Sequence, residues 1–283
     1  MRLKEKTEIR LFSMNLRQQT LFFMTIALGI LTGIVLGGVF MGDDQIATNF
    51  AKKNAPPSLA NLFGTDWLGR DMLARTLKGL ALSFGVGLLA ASLSVLVALA
   101  LSLTASMSKV ADLVVTWLID LFLSIPHLVS LILIAFTLGG GFKGVVLGIA
   151  LTHWPHLARV LRAEVLQLRN ADYVEVSRRF GKPSWWVARH HLLPHLLPQL
   201  VVGFVLLFPH AILHEAAITF LGFGLSPQQP AIGIILSESM SYLSTGMWWL
   251  AFFPGLSLIL MVRSFDVLGD QIRKLIDPHH SHN

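Results

Sequence analysis

The stretch from Thr20 to Phe40 is an uncharged, apolar run of the length a helix needs to cross a hydrocarbon core about 30 Å thick. Five more runs follow it: Ala81 to Ala105, Leu113 to Leu138, Gly144 to about Ala158, Leu196 to Leu221, and Met247 to about Val262. The fourth is short and closes in Thr152-His-Trp-Pro-His156. Inside a bilayer every backbone polar group needs an internal partner, so these runs are expected as helices packed on one another. Only 13% of residues are charged, against roughly 25% in soluble domains. The reading is an all-α, polytopic membrane protein with about six transmembrane helices.

The net charge of +6 follows the membrane and not a nucleic-acid footprint. Arg2, Lys4, Lys6, Arg10 and Arg17 precede the first run, and Lys109 sits between the second and third. Arg159, Arg162, Arg169, Arg178, Arg179, Lys182 and Arg189 lie between the fourth and fifth, and Arg263, Arg273 and Lys274 near the end. The excess of Lys and Arg places these segments, and both termini, in the cytoplasm. The loop from Gly222 to Gly246 has neither residue, as expected outside. The first outside segment departs from the rule, with Lys52, Lys53, Arg70, Arg75 and Lys78 offset in part by Asp43, Asp44, Asp66 and Asp71. Five regions result: a cytoplasmic tail 1–19, a first transmembrane helix 20–40, an outside linker 41–79, a transmembrane domain 80–268 containing a cytoplasmic loop 159–195, and a cytoplasmic tail 269–283. The first run exceeds the apolar core of a signal peptide and no A-x-A-like site follows, so it reads as an uncleaved span. Small residues in "GVGLLAASLSVLVALALSLTAS" of the second run allow close helix approach.

In the cytoplasmic loop, Asn170 is a candidate cap for a helix of about ten residues with Asp172 and Glu175 in its first turn, stopped by Gly181 and Pro183. Tyr173, Val176 and Phe180 recur at helical spacing and form one apolar edge. Such a short helix needs a surface to cover that edge, either the headgroup region, where Trp185 and Trp186 would also anchor it, or another protein.

The residues here resemble a known pattern. Glu175-Val176-Ser177, three residues, Gly181, nine residues, His191, one residue, then Leu193-Pro194 is similar to E-A-A, three, G, nine, I, one, L-P, the signature by which ABC importer permeases dock a short helix into their ATPase subunit. Val176 and Ser177 stand for the two alanines and His191 for the isoleucine. "FGTDWLGRDMLAR" (63–75), "DLFLSIP" (120–126), "ITFLGFG" (218–224), "FFPGLSL" (252–258) and "FDVLGDQIRKLIDP" (265–278) resemble, in order, one permease subunit of the dipeptide, oligopeptide and nickel importers. The chain departs from that pattern at "PQQPAIG", which lacks the usual Trp. The resemblance implies a type I ABC importer permease fold in the inner membrane. It implies four kinds of partner: a second homologous permease, two ABC ATPase subunits, an extracytoplasmic solute-binding protein, and membrane lipid. ATP would be bound by the partner subunits, with no cofactor in this chain, and the ATPase-coupling residues would be Tyr173, Glu175, Val176, Ser177, Phe180, Gly181, Leu193 and Pro194.

His210, His214 and Glu215 fall within the fifth run. Buried charges in a membrane usually face a bundle interior or a water-filled path, which makes the three candidates for a translocation path. Counted from Leu196, His210 lies about 21 Å and Glu215 about 28 Å along the helix, in its outer half. His210 and His214 share a helix face and can present two imidazoles to one metal ion, or can bond neighbouring helices and water; Glu215 is turned about 100° away. The paired histidines look more like the nickel branch, which puts nickel or a metal chelate ahead of peptides as cargo. His279, His280 and His282 offer weak metal binding or a solvated end. His153, His156, His190, His191 and His195 read as interfacial rings.

The zero cysteines exclude disulfides and thiol chemistry. "HAILHE" has neither the H-E-x-x-H order nor its inverse, so a zinc hydrolase is set aside, and "GGGFKG" lacks the P-loop spacing. The expected role is non-enzymatic: a permease subunit of an ATP-driven importer, with a self-contained channel as the distant rival.

Overall fold

The computed structural model describes residues 16–276. Arg2, Lys4, Lys6, Arg10 and the His279, His280 and His282 cluster lie outside them. Ten α-helices occur in the described residues: α1 (Leu16–Phe40), α2 (Met72–Ala105), α3 (Lys109–Ser124), α4 (His127–Thr137), α5 (Gly141–Leu168), α6 (Asp172–Arg179), α7 (Ser184–Val187), α8 (Leu193–Phe220), α9 (Ile232–Leu243) and α10 (Trp249–Ile276). Four helical stretches are long and apolar enough to cross a membrane, and a fifth span results if α3 and α4 count together. The sixth expected span is α5. It has the length, 28 residues, but carries His153, His156, Arg159, Arg162 and Glu164, and its apolar side is spent on burial against α2, α4 and α8.

Leu113 to Leu138 is not one straight helix. Helices α3 and α4 meet at 100°, because Pro126 has no amide to continue the ladder and pushes Ile125 into an extended conformation, φ −91°, ψ 138°. The expected loop 159–195 begins as helix: α5 continues to Leu168, and Arg159 and Arg162 reach back to Asp120 (3.0 Å) and Asp112 (2.6 Å) of α3. The expected loop 222–246 holds α9, an apolar helix of 12 residues. Helix α10 runs past residue 268 into the segment expected as tail.

Close packing rests on small side chains. The buried face of α2 is mostly Ala, Gly and Ser, and Ser94 and Ser102 donate to the carbonyls of Ala150 (3.1 Å) and Ala158 (3.3 Å) on α5. Such bonds between membrane helices contribute about 0.6 kcal/mol on average. A Cβ on Gly233 of α9 would sit 2.4 Å from the Ala216 carbonyl oxygen of α8, which is why that crossing takes glycine.

The linker between α1 and α2 is held by a buried ionic knot. Asp66, 0% exposed, accepts from the Leu68 and Arg70 amides (both 2.9 Å), from Arg70 Nε (2.6 Å) and from Arg75 Nη1 (2.8 Å). Arg75 Nη2 then donates to Glu238 of α9 at 2.8 Å. Asp71 caps α2 by accepting from the Ala74 amide (2.8 Å), and Trp67 stacks on Tyr242 with centroids 4.5 Å apart. Gly69 turns the chain at φ +74°, where a Cβ would strike the Asn49 carbonyl oxygen at 1.8 Å. Three of the five cations that broke the charge rule thus have acidic partners: Arg70 and Arg75 in the knot, and Lys78 on Asp43.

Candidate functional site

Helix α6 has eight residues and starts after Ala171, which offers no side-chain cap; Asn170 instead closes the last turn of α5, its amide donating to Gln167 O at 3.2 Å. The expected Asn170 cap is therefore corrected. Asp172 and Glu175 do occupy the first turn and Arg178 and Arg179 the last, so all four charges complement the helix dipole. Gly181 ends the helix at φ +76°, its amide bonded to Arg178 O and that of Lys182 to Ser177 O.

The edge formed by Tyr173, Val176 and Phe180 stays open: the three are exposed, Phe180 by 80%. Only Val174, on the opposite side, is buried. Ser177 meets His191 Nε2 at 2.8 Å, and the Tyr173 ring lies 5.3 Å from that of His191. His191 therefore holds α6 to the base of α8. Trp186 stacks on His190 with Lys182 above it, 5.0 Å from the centroid. Leu193 is half-buried and Pro194 exposed. Pro194 cannot donate to the carbonyl one turn earlier, and the chain passes this point as a single π turn, Ala188–Leu192. The segment is thereby one assembly: a short helix presenting an exposed apolar edge, braced through Ser177 and His191 on the root of a 28-residue helix.

The candidates of the fifth run separate. His210 is exposed and His214 half-buried. Glu215 is 0% exposed and sits in the helix packing, its Oε1 accepting from Thr219 Oγ1 at 2.9 Å. Its Oε2, like the Ser83 hydroxyl of α2, is buried without a hydrogen-bond partner among the described residues. His214 shares its helix face with His210 one turn earlier, and it also belongs to a second group. It converges with His127 and His153, the candidate ligand atoms of the three lying within 4.8 Å of one another. The sequence reading placed His153 at the inner interface and gave His127 no role; only the sharp break at Pro126 brings them together with α8, and spacing along the chain carries no trace of it.

Spanning helices packed through small residues, with a short helix held out on a basic loop and its apolar edge uncovered, define the membrane subunit of a transporter. The family model for the binding-protein-dependent transport system inner membrane component matches residues 83–281, and the chain belongs to that family, the permeases of ABC importers. It is 31% identical to the dipeptide transport system permease protein DppC of Bacillus subtilis (strain 168) over 245 residues, 86% of this chain and 77% of that protein. It is 32% identical to the probable D,D-dipeptide transport system permease protein DdpC of Escherichia coli (strain K12), over 83% and 79% of the two chains. The fold is also that of a chain of the MetNI methionine ABC transporter, solved in inward-facing conformations, with a TM-score of 0.59 at 19% identity over 73% of this chain and 98% of that one.

Proposed function

We propose that this chain lines one half of the translocation path of an ABC importer for dipeptides or oligopeptides. It pairs in the inner membrane with a second, related permease, beneath an extracytoplasmic solute-binding protein. Two ABC ATPase subunits bind ATP on the cytoplasmic side, where both termini also lie. The observation that carries the coupling half of this reading is α6, whose apolar edge is exposed among the described residues and whose brace on α8 gives a moving partner a lever into the membrane. ATP-driven closure of the ATPase pair would tilt α6 and, through Ser177 and His191, the outer half of α8. Tyr173, Glu175, Val176, Phe180 and Gly181 act at the docking face, with Leu193 and Pro194 at the pivot. His210, exposed on α8, is the candidate best placed to line the path, whereas Glu215 serves as a packed anchor.

For the cargo, the relatives reverse the order taken from the histidine pair. The similar proteins are named for dipeptide, D,D-dipeptide and oligopeptide transport. Uptake of a labelled dipeptide and of radioactive nickel should be compared in cells carrying or lacking the gene. Gene-dependent dipeptide uptake with unchanged nickel uptake is the expected result. Gene-dependent nickel accumulation without peptide uptake would overturn the cargo assignment and restore the metal reading.

A further inference from the structure

Three helices bring one imidazole each to a common point: His127 opens α4 directly after the Pro126 break, His153 lies midway along α5, and His214 is on α8. His153 is 5% exposed. Its Nδ1 sits 2.9 Å from the Ile149 carbonyl, which can only accept, so Nδ1 carries the proton and Nε2 presents a lone pair. That Nε2 is buried without a hydrogen-bond partner, and so is Nε2 of His127. A buried, unsatisfied polar atom is costly, and here two of them belong to adjacent rings, whose centroids are 4.5 Å apart. The His127 and His214 rings are separated by 4.6 Å and those of His153 and His214 by 5.0 Å.

From this juxtaposition we infer that His127, His153 and His214 form a binding site for a first-row divalent transition metal ion, of the class of Zn²⁺, Ni²⁺ or Co²⁺. Three neutral imidazoles suit borderline ions and disfavour Mg²⁺ or Ca²⁺, which take oxygen ligands. The backbone carbonyl on Nδ1 of His153 is the outer-shell partner that fixes tautomer and ring orientation in histidine metal sites. A metal–nitrogen distance of about 2.0–2.1 Å places tetrahedral nitrogens roughly 3.3 Å apart, so closing from within 4.8 Å needs ring shifts of about an ångström. His127 and His214 are only half-buried, which leaves the group open on one side for an ion to reach it and for a water to complete a fourth position. The site goes beyond the peptide-import reading. Bound metal would tie α4, α5 and α8 together, whatever the cargo.

The test is Co²⁺ titration of the detergent-purified full-length chain, with His279, His280 and His282 replaced by Ala so that the tail contributes nothing. One ion per chain, with the visible absorption of a four-coordinate nitrogen site that Zn²⁺ displaces, is the expected result. His153→Ala should weaken binding about 100-fold, and His127→Gln, at a half-buried helix start, should do the same while leaving the melting temperature unchanged. His190→Ala, which removes a ring stacked on Trp186, should leave binding intact. Absence of the absorption from the parent chain, or equal affinity in parent and His127→Gln, would overturn the proposal. Peptide and nickel uptake do not enter this readout, so it stands or falls apart from the cargo assignment.

Discussion

Asp66→Ala should destabilise the folded permease by about 3–5 kcal/mol, the range for removing one partner of a buried ion pair. The residue is 0% exposed and accepts four hydrogen bonds, two from backbone amides and two from guanidinium groups. Without it, Arg70 and Arg75 share Glu238 alone, at 3.7 and 2.8 Å. That leaves two cations on one partly exposed carboxylate and two unpaired amides in the turn before α2. The knot joins residues 163 positions apart in sequence, so its loss also frees the linker from α9. Asp66→Asn keeps an oxygen for the amides and loses the charge, and should fall between the parent and Ala. Thermal unfolding of the detergent-solubilised chain, followed by size-exclusion recovery after heating, would rank the three. Equal melting of parent and Asp66→Ala would show that the knot carries no stability. A double-mutant cycle with Arg75→Ala should return a coupling energy, because the two side chains touch.

The linker shows what a sequence reading reaches and where it stops. "FGTDWLGRD" was legible as a motif, and alternation of spans placed it outside. Its electrostatics were not legible, because Glu238 lies in a loop that sequence alone left without structure. The apolar runs located most spans, since lipid leaves the backbone few alternatives, and their ends were missed wherever a helix continues out of the apolar zone, as α5 does to Leu168. Pro126 was visible, but the 100° turn it produces depends on how α4 packs back on α5. That turn creates the histidine group, so the i, i+4 logic that joined His210 to His214 could not find His127. The local structure of the segment around α6 was read most fully. Its charges, apolar edge and glycine stop are local features of a short helix; its cap was misplaced by one residue and its length, eight residues, was overestimated.

Gly181→Pro and Glu175→Lys should each abolish uptake while leaving the amount of chain in the membrane unchanged. Gly181 holds φ +76° with nothing within 4 Å of a would-be Cβ, so the requirement is conformational and not steric. Proline fixes φ near −65° and removes the amide that closes the turn onto Arg178, redirecting the chain between α6 and α7. Glu175 forms an exposed i, i+4 pair with Arg179 at 2.5 Å, worth about 0.3–0.5 kcal/mol in such helices. Its reversal therefore costs the fold little, and lost transport would report a lost partner. Phe180→Ala separates docking from folding more cleanly, because a ring that is 80% exposed contributes little to this chain's own packing. It should melt like the parent yet lose co-purification with the ATPase subunits. Transport and co-purification at parental levels in all three variants would exclude α6 as the coupling element. If Phe180→Ala alone failed, with Glu175→Lys normal, the apolar edge and not the acidic one would be the surface the motor grips.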